Sequence, residues 1–101
     1  MATPFQPQPA KTVNIDVSAA SQRVAIAGAP GSVRVMNNGT ATVWIDFGDV
    51  TVTSAVATGM PLGPGVTEVL SFPNLTATTF YVSAIAAGAT GKIHFTPGSG
   101  I

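Results

Sequence analysis

Apolar residues recur at every second position from Lys11 to Thr96, and no segment keeps a helical repeat over the roughly ten residues that a helix needs. In KTVNIDV (11–17), Val13, Ile15 and Val17 point one way while Thr12, Asn14 and Asp16 point the other. The alternation returns in 23–27, 33–36, 41–47, 50–57, 66–72, 80–86 and 92–96. Between these runs stand breakers: GAPGS (28–32), NNG (37–39) and GMPLGPG (59–65). About eight short strands with turn signals every 8–12 residues predict an all-β chain, an antiparallel β-sandwich or a barrel. The strand count fits a jelly-roll-like sandwich and another Greek-key sandwich alike.

The 101 residues suffice for one modest core, expected over 11–101. There is no Cys, so packing must hold the fold without disulfides or thiolate metal sites. Charged residues are 8% of the chain, against about 25% in an average domain, and they cancel to a net charge of zero. So little charge gives weak protection against self-association and suits a protein packed against others. It also argues against nucleic acid, which needs a basic footprint. No apolar run approaches the roughly 20 residues of a membrane span, so no membrane partner is expected. The opening MATPFQPQPA has neither the basic start nor the apolar stretch of a secretory leader.

Residues 1–10 carry Pro4, Pro7 and Pro9, and so predict an extended arm that no central strand could contain. The arm, with Phe5, is either loose or laid on a neighbouring subunit. For 33–47 the alternation predicts a hairpin with a three-residue loop, Asn37–Asn38–Gly39. Val35 then faces Ala41, Val33 faces Val43, and Ile45 and Phe47 continue the buried face. Gly39 would take the left-handed conformation such a loop requires. The opposite face would hold Arg34, Met36, Thr42, Trp44 and Asp46, with the Arg34 guanidinium against the Trp44 indole.

Catalytic signals are thin. DFGD (46–49) contains the kinase triplet without any other kinase element, and reads as a strand end followed by a turn. Asp46 and Asp49 could meet a calcium ion, but Asp16 and Glu68 are the only further carboxylates for an ion that wants six or more oxygens. GATGK (88–92) lacks the spacing of a phosphate loop and reads as a turn feeding the last strand. His94 alternates with Ile93 and Phe95 and so lies off the core face, near Lys92 and Thr96, without a nucleophile or orienting acid in recognisable spacing. Glu68 shares the parity of Val66, Leu70 and Phe72, so either the alternation breaks near Val69 or an inward carboxylate finds a partner. Trp44, Tyr81 and Phe80 could form a sugar-stacking platform. No enzyme, cofactor or metal follows from these residues.

The chain from VRVMNNGTATVWIDFGD through MPLGPGVTEVLSF to FYVSAIAAGATGKIHFTPGSGI resembles small structural proteins of tailed bacteriophages, above all the capsid cement, or decoration, class. That resemblance implies a small β-rich domain, dimeric or trimeric, made in the host cytoplasm and seated on the outside of the virion head. Its partner would be the major capsid protein, and its task the bridging of capsomers. Candidate contact residues are Pro4, Phe5, Pro7 and Pro9 in the arm and Arg34, Trp44 and Asp46 on the outer face. A minor tail or head–tail component and a carbohydrate-binding sandwich are the alternatives.

Overall fold

The computed structural model describes residues 4–7, 10–26, 31–56, 58–71, 80–88 and 90–99. These form nine strands and no helix: β1 (Gln6–Pro7), β2 (Val13–Val17), β3 (Gln22–Ile26), β4 (Ser32–Asn37), β5 (Val43–Gly48), β6 (Met60–Leu62), β7 (Thr67–Ser71), β8 (Phe80–Ile85) and β9 (Gly91–Ser99). All pairings are antiparallel. In the first sheet β9 lies between β4 and the end-to-end pair β2 and β1, and β7 pairs on the far side of β4. The second sheet runs β3-β8-β5-β6.

Setting the short β1 aside, the first strand lies beside the last, then the third, then the sixth, while the second faces the seventh, fourth and fifth. That order is a jelly roll. The expected antiparallel sandwich is therefore the fold, and its topology is fixed. Inward residues of both sheets make one core that includes Ile15, Val33, Val35, Val43, Ile45, Val82, Ile93 and Phe95. Most are small or β-branched. They pack well on a pleated surface and make up in number for side chains of limited size.

Two expectations fail, for one physical reason. β4 and β5 are not a hairpin: β4 pairs with β7 and β9, and β5 with β6 and β8. Residues 38–42 carry the chain from one sheet across to the other. The alternation correctly places Val33, Val35, Val43 and Ile45 inward, but a hairpin and an inter-sheet arch bury the same residues. Patterning fixes the face and leaves the partner open. Nor is Gly39 left-handed, since the described glycines with positive φ are Gly65 and Gly91. Gly39 is needed because a Cβ there would lie 2.6 Å from the Thr90 hydroxyl oxygen.

Residues 50–57 are not a strand either; the described part is irregular, and the neighbouring Gly/Pro-rich passage supplies β6 instead. Leu62 sits inward opposite Val43, and Pro61 faces outward opposite Trp44 at the sheet's edge, where a missing N–H is tolerated. Pro97 obeys the same rule inside the long β9. Gly98 and Lys92 accept hydrogen bonds from Gly31 and Asn38 on the β4 side, so by alternation Pro97 turns its nitrogen to the other side. There it meets the break between Val13, opposite Phe95, and Pro7, opposite Gly98.

Candidate functional site

The expected contact residues do not converge. Arg34 is exposed on the outer face of the first sheet. Trp44 and Asp46 lie half-buried on the outer face of the second, on the other side of the sandwich, so no guanidinium–indole contact forms. In the arm, Pro4 and Pro7 are exposed and Phe5 is half-buried, while Pro9 lies outside the described residues. Gln6 and Pro7 pair with Ser99 and Gly98 of their own chain. Gly98 is the seat: a Cβ there would collide with the Gln6 carbonyl and lie 2.8 Å from the Phe5 ring.

The two outer faces differ. Across the second sheet, the connection between β5 and β6 folds back over its own strands. Ser54 and Ser83 hydroxyls are 2.5 Å apart, and the Ser54 N–H donates to the Ser21 hydroxyl at 2.9 Å. A Cβ on Gly48 would meet Val52 at 3.0 Å, and one on Gly59 would meet the Trp44 Cβ at 2.9 Å. Ser83 points outward from its sheet yet is fully buried, because this strap covers it. Register keeps Trp44, Tyr81 and Phe80 from forming one stacking platform. Phe80 has the inward parity of Ile26, whereas Trp44 stands opposite Ile85 and Tyr81 opposite Gly48. Trp44 and Tyr81 are thus separated by about 13 Å along the strands.

Across the first sheet no described segment plays this part. One cross-strand row runs Asn14, His94, Met36, Thr67, and the next holds Thr96, Arg34 and Val69. Thr12 and Thr96 hydroxyls are 2.9 Å apart, and Lys92 Nζ reaches Asp16 Oδ1 at 2.6 Å. Both members of that ion pair are substantially exposed, so it adds little stability and leaves the face nearly neutral. Met36, 39% exposed, is the large apolar side chain near the middle of the face. His94 lies off the core, as its parity requires. Glu68 is opposite Val35 on the inward parity, but it sits in the edge strand β7 and is exposed, so it needs no buried partner.

DFGD is a strand end. Phe47 packs on the core, Asp46 stands opposite Ser83, and Asp49 opens the turn by accepting the Thr51 N–H at 2.8 Å and the Thr51 hydroxyl. The hydroxyl first, and then the N–H, hold the Asp49 carboxyl below its usual value. Among the described residues no three of His, Cys, Asp or Glu come together as metal ligands.

The sequence reading missed the polar clamp at the arch. Asn37 is fully buried and donates from Nδ2 to the carbonyls of Ala41 and Leu62, both at 2.9 Å, while its Oδ1 accepts the Gly39 N–H. Thr90 Oγ1 accepts the N–H groups of Thr40 and Ala41 at 2.9 and 2.8 Å. With Asn37 N–H on Val66 and Asn38 N–H on Lys92, every backbone donor from 37 to 41 is satisfied. The signal was present: Asn37 continues the inward parity of Val33 and Val35, and a polar residue there must find partners.

No family model matches the chain, and no curated protein matches it. A solved structure described as the crystal structure of PirA superposes with a TM-score of 0.58 at 17% identity, covering 89% of this chain and 95% of that one. At that identity the likeness speaks for the fold alone.

Proposed function

We propose that this chain is a non-enzymatic structural protein of a tailed-phage virion, bound to the outside of the capsid, where it strengthens the shell by bridging capsomers. The observation that carries this reading is the asymmetry of the sandwich. One outer face is covered by the chain's own strap, whereas among the described residues no segment crosses the other, a nearly neutral face with Met36 and Arg34 exposed near its middle. That face measures about 20 by 17 Å, on the order of 300 Å². A stable interface takes about 800 Å² per partner, so one such contact alone is weak. Repetition over a lattice, or a dimer or trimer that presents several copies of the face, turns weak contacts into firm attachment. A ligand that binds the mature lattice better than the empty one stabilises it by the difference.

The test is the copy number of the chain in purified, DNA-filled particles, by quantitative mass spectrometry against the major capsid protein. A number equal to the capsid protein or a simple fraction of it supports the cement role. A handful of copies moves the protein to the tail or the head–tail junction, and absence from particles ends the virion reading.

A further inference from the structure

The arch that joins the two sheets contains Asn38–Gly39, an amide side chain followed by a residue without one. Asn38 is exposed, so its side-chain amide is open to solvent. Gly39 cannot be exchanged for a bulkier residue, because its Cα passes against Thr90. The packing therefore retains a dipeptide that is chemically labile. We infer that Asn38–Gly39 is a self-modification site, and that the Asn37 side chain sets its rate.

The reaction needs only water. The Gly39 backbone nitrogen gives up its proton to solvent base and attacks the Asn38 side-chain amide carbon. A carbon–nitrogen bond forms, the bond to the side-chain NH2 breaks, and ammonia leaves with the proton returned from solvent. Water then opens the cyclic imide at one of its two carbonyls. Opening at the former backbone carbonyl gives an isoaspartyl linkage; opening at the other leaves an ordinary aspartyl side chain in place of the amide. No electron changes hands.

In the folded arch the attacking nitrogen is occupied. Its proton is held by Asn37 Oδ1 at 2.9 Å, and Asn37 is itself fixed by two carbonyls on its Nδ2. Both flanking N–H groups are pinned as well, Asn38 to the Lys92 carbonyl and Thr40 to Thr90. Reaction requires this turn to open, so the native rate follows the fraction of time that it is open. The product matters because residues 37–42 and 63–66, joined through Asn37, carry no charged side chain, and the neighbouring Lys92 is already paired with Asp16. A carboxylate there takes a chain of zero net charge to a negative one, and an isoaspartyl linkage lengthens the backbone inside the clamp.

The experiment incubates the full chain at mildly alkaline pH, native and in concentrated urea, and follows conversion at Asn38 by peptide mass spectrometry. Asn14, followed by the bulky Ile15, serves as the internal reference. Expected is a native rate at least about tenfold below that of the unfolded chain, as for a turn open less than about a tenth of the time. Equal native and unfolded rates overturn the inference. Asn37→Ala, folded as judged by Trp44 emission, should react faster than Asn37→Ser, whose hydroxyl can still accept the N–H two residues on. Folded Ala and Ser variants that both react as slowly as the wild type overturn the assignment of the gate to Asn37. Should neither fold, the comparison of native with unfolded wild type decides.

Discussion

Asn37 is a single buried amide that satisfies three backbone groups of the crossing between sheets. Replacing it by Ala strands the buried Leu62 carbonyl and leaves the part-buried Ala41 carbonyl and Gly39 N–H without this partner. The expected loss is on the order of 3 kcal/mol, read as a lower urea midpoint with an unchanged slope. A loss under about 0.5 kcal/mol would mean that water or a shifted turn replaces the clamp. Asp49 works on a smaller scale and depends on pH. Its folded-state pKa lies below the ordinary 3.8. Its bonds to Thr51 therefore stabilise the fold above that pH, and the contribution is lost as the pH falls through the lowered value. The carboxyl is fully exposed, so the effect is small. The urea midpoints of wild type and Asp49→Ala should differ slightly at neutral pH and converge in strong acid; divergence in acid would contradict this account.

At the scale of elements, the strap between β5 and β6 and the short β1 are both held by local devices. Ser83→Ala leaves the buried Ser54 hydroxyl without that partner, at a cost of about 1–2 kcal/mol. The strap should loosen over Trp44 and shift its emission to longer wavelength, whereas an unmoved spectrum would place the strap's anchorage elsewhere. Gly98→Val fills the seat of Phe5 and the Gln6 carbonyl. It should free β1, raising hydrogen exchange at Gln6, while moving global stability by no more than about 1 kcal/mol, because a short ladder at a sheet's end opens on its own. The sequence was legible here to the extent that alternation decides faces. β2, β4, β7 and β8 fall where the period predicts, and Glu68 departs from it only because an edge strand can expose either face. It was illegible where an element owes its place to something distant. Nothing local says that the described part of 50–57, with a strand's pattern, instead anchors Ser54 on the back of β8, or that Met60–Leu62, with a Pro at its centre, becomes an edge strand beside Trp44.

For the whole molecule, connectivity was the hidden quantity. Among the described residues β5–β6 is the one pairing between consecutive strands, and every other ladder joins distant segments. A jelly roll and other sandwiches share the same periodicity, so only the pairing separates them. The dispersed contact residues have the same cause: once β4 and β5 part to different sheets, Arg34 and Trp44 cannot meet. With one shared core, unfolding followed by Trp44 emission and by far-UV signal should coincide in a single transition. Refolding should take on the order of milliseconds to seconds, as expected for mostly non-local pairing; a microsecond phase carrying the full amplitude would be inconsistent with this topology. The position of β9 bears on synthesis as well. It follows every other strand in the chain, yet it is the inner strand between β2 and β4. Until residues 91–99 are made, β2 and the β4–β7 pair have no common neighbour. The first sheet stays in two pieces with bare edges while the second can already assemble.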